Sequence, residues 1–413
     1  MRLLHTADWH LGQTLHGLSR EAEHKHFLDW LLETLNAQAV DALVIAGDVF
    51  DSQNPPVSAL AGFYQFLADA KRVQPDLTVI VIAGNHDSGG RLEAPLPLLE
   101  ALGVRVIGSL HKQQDGTPDL LRLLVPLSGP DGVVTGWCAA VPYLRQSDLP
   151  ASNVELTESV RAIYAEIVAM MRERRKPGQV LVAIGHCYMA GGLLSEQSER
   201  KILGGNLHAL PVDMFPADID YVALGHLHRA QEVGGREAVR YSGSPLPLSL
   251  NERAYCHQVV LVEFQDGVLA GIEALAVPRL IDILRLPAQG AVLPEHLPTL
   301  LATLPKAVDD RRGRDNWPLL EVVVRQERPN PGLRAQVEEL LDGKAVRLVR
   351  LASESSGDGG DLATAVGAVA LATLPPEEVF RRCWQHSFKA EPGAAHLAAF
   401  HQLLESVLAE NGP

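Results

Sequence analysis

Five stretches of the chain end an apolar run in Gly or Ala and then deliver Asp, Asn or His: Leu3–His10 (LLHTADWH), Ala42–Asp51 (ALVIAGDVFD), Val79–Asp87 (VIVIAGNHD), Val180–His186 (VLVAIGH) and Tyr221–His228 (YVALGHLH). A run of strand length broken this way makes a sharp exit at a sheet edge. In an open α/β sheet, sites form in crevices at the carboxyl ends of strands, so such exits can converge on one place. The side chains they would bring there are Asp8, His10, Asp48, Asn85, His186, His226 and His228. Carboxylate, amide oxygen and imidazole donors with no thiolate suit ions such as Mn²⁺ or Fe²⁺; Zn²⁺ is an alternative and Ca²⁺ a poor match. Since one ion takes about four to six ligands, this donor set points to two ions sharing a bridging carboxylate. Such a pair favours hydrolysis of a phosphate ester, because it clamps the phosphoryl group and lowers the pKa of water. His86, between Asn85 and Asp87, is expected to orient the phosphate or protonate the leaving oxygen, with Asp87 holding its imidazole.

The segments between the exits must position them. Phe27, Leu28, Leu31, Leu32 and Leu35 recur at helical spacing within residues 20–39, Val57–Arg72 reads as a helix entered at Pro55 and Pro56, and another helix is expected near Leu92–Leu102 before a strand Val104–Ile107. These strand–helix–strand units predict a mainly parallel sheet covered by helices. Leu121–Leu127, Val133–Val141, Ala238–Ser242, Val259–Phe264 and Leu269–Val277 read instead as antiparallel or mixed strands, with a long helix at about Val154–Arg175 between two of them. The expected fold is α/β, with two sheets packed face to face and helices outside, over residues 1–277.

From Pro278 the pattern changes. Leu280–Leu286, a helix near Pro294–Leu304, Leu319–Arg325, a helix near Pro331–Leu341 and Ala345–Leu351 make a small βαβαβ domain, residues 278–352, without Asp or His exits. Its charged loop Asp309–Asp315 (DDRRGRD) reads as a solvated turn. Residues 353–374, rich in Gly, Ala and Ser, read as a flexible linker. Residues 375–413 read as a helical hairpin, with one stripe of Val379, Phe380, Cys383, Trp384 and Phe388 and another of Leu397, Phe400, Leu403, Leu404, Val407 and Leu408. A unit this small cannot bury both stripes by itself, so it packs back on the body or docks on a partner helix.

A chain of 413 residues that is 46% hydrophobic has material for a large core and more than one domain. Its 4 cysteines form no CxxC pair, which speaks against a disulfide framework or a thiolate zinc site. The sequence opens without a long apolar leader and holds no run long enough to span a membrane, so a cytoplasmic protein is expected. A net charge of −14 is the reverse of what a chain gripping nucleic acid alone shows, so any such substrate is expected to be held with a partner's help.

Taken as a set, DWH at 8–10, GDVFD at 47–51, GNHD at 84–87, GH at 185–186 and GHLH at 225–228 resemble the signature of the calcineurin-like metallophosphoesterases. Within that superfamily the opening MRLLHTADWHLG, then GDVFDSQNPP, GNHDS and YSGSPLPLSLNE at 241–252, are similar to bacterial DNA nuclease subunits that work with an SbcC-type, SMC-like ATPase. The resemblance implies a two-sheet metallophosphoesterase sandwich flanked by helices, a capping domain after Pro278, and terminal helices that dock on the ATPase coiled coil. It implies that Asp8, His10, Asp48 and His228 hold one Mn²⁺, that Asp48, Asn85, His186 and His226 hold the other, and that His86 is a catalytic histidine outside the ligand set. Eukaryotic and archaeal relatives place a second functional histidine where this chain has Asp51, and bacterial members commonly carry Asp there. The implied activity is an ATP-linked exonuclease on double-stranded DNA ends plus an endonuclease on single strands and hairpins, serving DNA repair, recombination and replication. A homodimer within a heterotetramer is implied too, formed through helices near Val57–Arg72 and Leu92–Leu102. Two other readings stand beside this one. A phosphatase or phosphodiesterase for small molecules or phosphoproteins would need neither the capping domain nor the terminal helices, and a scaffold would use the metal site to organise an ATPase on DNA.

Overall fold

The chain begins with β1 (Arg2–Thr6), a hairpin of β2 (Thr14–Leu15) and β3 (Leu18–Ser19), α1 (Glu21–Ala37), β4 (Ala42–Ala46), α2 (Val57–Val73) and β5 (Thr78–Ile82). It continues through α3 (Gly89–Glu93), α4 (Leu96–Ala101), β6 (Val104–Ile107), β7 (Leu124–Ser128), β8 (Val134–Val141), α5 (Leu156–Arg174) and β9 (Val180–His186). Then come β10 (Tyr221–Gly225), β11 (Gln231–Val233), β12 (Arg236–Tyr241), β13 (Gln258–Gln265) and β14 (Val268–Ala276). The structure is a computed structural model that describes residues 1–129, 132–149, 155–193, 209–309, 313–326, 330, 332–355, 376–393, 396–397 and 400–401. The chain divides into two units, Met1–Ile283 and Leu284–Pro413.

The first unit holds two six-stranded sheets, in the orders β14-β13-β1-β4-β5-β6 and β11-β12-β10-β9-β8-β7. Strands β1, β4, β5 and β6 run parallel in one, and β12, β10, β9 and β8 in the other, with antiparallel strands at the edges. Side-chain alternation explains the packing. Ala42, Val44, Ala46, Ile80 and Ile82 join one core with Ile184 and Val222 of the facing sheet and with Ile163 and Ile167 of α5. Their neighbours Leu43, Ile45, Val79 and Val81 join a second core with Phe27 and Leu31 of α1 and Phe63 and Leu67 of α2. Covered on both faces, β4 and β5 are apolar at nearly every position, as buried parallel strands are.

Two expected elements differ. The helix near Leu92–Leu102 is two short helices, α3 and α4. Pro95 supplies no N–H and its ring would meet the carbonyl four residues back, so the first helix cannot continue through it. The expected strand Leu121–Leu127 begins with a 3₁₀ turn, Leu120–Leu123, before β7.

In the second unit β15 (Ile283–Leu286), α6 (Leu297–Ala302), β16 (Leu319–Gln326), α7 (Leu333–Leu340) and β17 (Arg347–Ser355) build a three-stranded sheet, β15-β16-β17, with the last two parallel. Leu297, Leu301, Leu333 and Val337 of its helices share a core with Leu320, Val322 and Val324. In the helix Pro376–Phe388 the Phe380 and Trp384 rings lie 5.7 Å apart, and Phe380 stacks on Phe400 at 4.5 Å. Residues 356–375, most of the expected linker, lie outside the described residues, as do residues 310–312 of the charged loop and Leu403, Leu404, Val407 and Leu408 of the second stripe. Among the described residues, no helix is long and apolar enough to cross a membrane.

Candidate metal centre

Strands β1, β4 and β5 end beside the ends of β9 and β10, because β4 packs on both of the latter across the interface between the sheets. The loops after β1 and β4 are zipped together: Asp8 N–H donates to Gly47 O and His10 N–H to Asp48 O, each at 3.0 Å. Close backbone approach accounts for two glycines of the exits. A Cβ on Gly84 would run into the Asp48 carboxylate, and one on Gly225 into the Ala46 carbonyl.

Four candidate donors sit at positive φ: Asp8 at 55°, His10 at 47°, Asp48 at 48° and His226 at 110°. Side chains other than glycine are rare in that region and are kept there only by surrounding structure. Here the His226 N–H donates to both Asp8 carboxylate oxygens, at 3.0 and 3.1 Å, which ties the end of β10 to the end of β1. Trp9 anchors the first loop from behind. It is fully buried, meets Phe27 and Phe66 edge-on at 5.4 and 5.5 Å, and donates its indole N–H to Thr6 Oγ1 at 2.9 Å.

The side chains converge as the exits suggest. Ligand atoms of Asp8, His10 and His228 lie within 4.8 Å of one another, as do those of Asp8, Asp48 and His186, and those of His10, Asp48 and His86. Asn85 Oδ1 joins them, 2.9 Å from His186 Nε2 and 2.9 Å from His226 Nδ1. Asp8, His10, Asp48, His186, His226 and His228 are all buried.

Several features fit a cation among these groups. His10 Nε2 is buried and has no hydrogen-bond partner, although Asp48 Oδ2 lies only 3.6 Å away. His186 gives its Nδ1–H to the Ala46 carbonyl at 2.8 Å, so its Nε2 faces two oxygens, on Asn85 and Asp48, without a proton unless the ring is charged. Burial opposes that charge, but the Asp48 carboxylate outweighs it and raises His186 to about 9. Burial likewise pushes Asp48 up, yet His186 and His10 hold its carboxyl well below the usual carboxylate range. Asp8 is pushed up to about 7 by burial, and His226 down to about 3. A proton on His186 thus does what a bound cation would do, and the oxygen and nitrogen donors suit a divalent metal.

Asp87 does not hold the His86 ring. Its carboxylate accepts the backbone N–H groups of Gly84, Phe50 and Val49 at 2.8, 2.9 and 3.1 Å, because the GNHD turn folds it back under the GDVF loop. His86 instead donates its Nδ1–H to the Asp51 carbonyl at 2.7 Å, and its backbone N–H to Asp48 Oδ1 at 2.8 Å. Three residues outside the expected set adjoin the centre. Glu252 Oε1 lies 3.2 Å from His228 Nδ1, the Tyr143 ring stacks on His226 at 6.5 Å, and Arg145 lies over Tyr143 while donating to the Asn85 carbonyl at 3.2 Å. None of the three carries a strand-exit pattern. Glu252 has one weak signal, a lone carboxylate ending the apolar stretch PLPLSLNE. A cleft open to solvent and lined by Tyr143, Leu156, Tyr188, His186 and His226 adjoins the cluster.

A two-sheet sandwich with Asp, Asn and His gathered at the strand ends defines a calcineurin-like phosphoesterase, and the family model of that description matches residues 1–230. A second model, described as the type 5 capsule protein repressor C-terminal domain, matches residues 282–388. The SbcD component of the SbcCD nuclease of Rhodobacter capsulatus is 44% identical over 361 residues, covering 85% of this chain and 87% of its own. The Escherichia coli protein of that name is 34% identical over 388 residues, 92% of each chain, and the Bacillus subtilis one 37% over 271 residues, 65% of this chain and 67% of its own. The chain belongs to the SbcD family of phosphodiester-hydrolysing nucleases.

Proposed function

We propose that the chain is a two-metal, Mn²⁺-dependent DNA nuclease. Asp8, His10, Asp48 and His228 would hold one ion, and Asp48, Asn85, His186 and His226 the other. The observation that carries this reading is the set of overlapping donor groups within 4.8 Å, in which Asp8, His10 and Asp48 each recur, completed by Asn85 Oδ1. Bound metal would supply Lewis-acid polarisation of the phosphodiester and a nucleophile at neutral pH.

The remaining chemistry falls to side chains. With its Nδ1–H given to the Asp51 carbonyl, His86 keeps Nε2 for the scissile group, where it orients a phosphate oxygen or passes a proton to the leaving oxygen. Asp87, by bracing the turn that carries Asn85 and His86, sets where both side chains stand. His86→Ala is expected to keep its metal content by elemental analysis while cleavage of DNA falls by about 100- to 10,000-fold, the usual worth of a positioned acid–base group. Loss of metal in that variant would make His86 a ligand.

Residues 278–352 act as a capping domain, 353–374 as a linker and 375–413 as the docking element for an SMC-like ATPase of the SbcC type. The aromatic stripe of Phe380, Trp384 and Phe388, with Phe388 50% exposed, supports a helix that takes an apolar partner. A chain of charge −14 would borrow DNA-binding surface from that ATPase. The activities are ATP-linked exonuclease on duplex ends and endonuclease on single strands and hairpins, in a homodimer that sits within a heterotetramer. Exposed Val57 and Leu98, 81% and 72% accessible on α2 and α4, support a homodimer contact there. The test is degradation of a labelled duplex with one blocked end, in Mn²⁺, Mg²⁺ or EDTA, with and without the ATPase and ATP. Mn²⁺-dependent degradation stimulated by the ATPase is expected. Hydrolysis of a small phosphodiester with no DNA cleavage would replace this reading by a small-molecule phosphodiesterase.

A further inference from the structure

The two halves of the cluster are backed differently. Behind His228, the fully buried Glu252 sets Oε1 3.2 Å from Nδ1, and behind His10, Asp51 Oδ1 lies 3.2 Å from Nδ1. Among the described residues, no hydrogen bond to a carboxylate backs the imidazoles of the other half. His186 Nδ1 rests on the neutral Ala46 carbonyl at 2.8 Å, while His226 turns its Nδ1 into the cluster, 2.9 Å from the Asn85 amide oxygen.

A carboxylate can only accept, so it keeps the proton on Nδ1 and leaves the Nε2 lone pair for the cluster. In His10 that Nε2 is the buried nitrogen to which the chain offers no hydrogen bond. A carboxylate behind an imidazole also strengthens it as a donor, and each adds a negative charge near any cation bound there. Glu252 is itself tied down. Its Oε2 accepts the Leu248 N–H at 2.7 Å, and the His257 ring sits between the Ser244 carbonyl, 2.8 Å from Nδ1, and the Glu252 carbonyl, 3.2 Å from Nε2.

We infer that Glu252 and Asp51 are positioning residues that make the Asp8–His10–His228 side the tighter of two metal positions, so that the chain loads its ions in a fixed order. The inference rests on the two-ion reading given above. Glu252→Gln tests it sharply, because an amide has one accepting oxygen where the carboxylate uses two. The variant cannot offer separate accepting oxygens to the His228 Nδ1–H and the Leu248 N–H, as Glu252 does.

The experiment is calorimetric titration of the full chain with Mn²⁺ alone, beside thermal unfolding of the metal-free protein. The parent chain is expected to show two resolved steps. Glu252→Gln and Asp51→Asn are each expected to weaken the tighter step by about 10- to 100-fold and to leave the weaker one in place. Asp51 has a side chain 39% exposed, so its variant carries the test if Glu252→Gln fails to fold. A role for Glu252 in anchoring its loop alone would lower the unfolding midpoint without separating the two steps. An unmoved tight step, or an equal shift of both, overturns the inference while the two-ion reading stands. Uptake of a single ion by the parent chain overturns the two-ion reading itself.

Discussion

Asp48→Ala is expected to abolish metal binding at both positions and to bring DNA cleavage down to the rate of the buffer. Asp48 faces imidazoles of both halves. Its Oδ2 lies 3.4 Å from His186 Nε2 and 3.6 Å from His10 Nε2, which belong to opposite halves, and its Oδ1 accepts the His86 N–H at 2.8 Å. One substitution therefore removes an anion that both halves face, leaves buried imidazoles facing one another, and frees the turn that carries His86. His186 should lose its extra proton as well, because the Asp48 carboxylate is what raises it against burial. Elemental analysis of the purified variant and cleavage of a labelled duplex measure the effect. A full equivalent of metal retained, or activity near that of the parent, would remove Asp48 from the bridging position.

Asp87→Ala is expected to cost about 4 kcal/mol of stability, since three buried N–H groups lose a charged acceptor at about 1–3 kcal/mol each. Burial, helped by nearby Asp48, pushes the Asp87 carboxyl up to about 6, so it is ionised at neutral pH and able to accept all three. The cost of keeping that charge buried offsets part of the gain, which places the figure below the sum of three such bonds. Chemical denaturation of the metal-free chain measures it, and activity should fall with stability, because the same three bonds hold Asn85 and His86 in place. Asp87→Asn separates the two effects. An amide satisfies at most part of the set, so its loss of stability should be intermediate. A stable Asp87→Ala variant with low activity would instead return Asp87 to a direct part in proton transfer.

The strand exits were legible because burial on both faces makes β4, β5, β9 and β10 apolar throughout, so a polar residue after Gly or Ala stands out against the run. Asp87 was misread for a physical reason: a neighbour in sequence suggests a side-chain pair, whereas its partners are backbone N–H groups, which every residue type but proline has. The carboxylate behind His228 was invisible because residues 228 and 252 meet only through the folded Ser242–Leu250 segment. Trp9 received no role from the sequence, because that role depends on Phe27 and Phe66 of helices further along the chain. The break in the helix after Leu92 was readable from Pro95 and Pro97, and apolar spacing outweighed it.

The bond from His226 N–H to Asp8, with those from His186 to the Ala46 carbonyl and between His5 and Tyr221, makes a polar clasp between two sheets whose remaining contact is largely apolar, and apolar contact resists sliding far less than a fixed donor geometry does. Any slip of one sheet against the other would part Asp8 and Asp48 from His186 and His226. A cation held by both sides recognises only the native alignment, so at a hundredfold excess over its dissociation constant it would add about 2.7 kcal/mol to the fold. The chain's chemistry and its mechanical integrity are thereby locked to a single coordinate, the alignment of its two sheets.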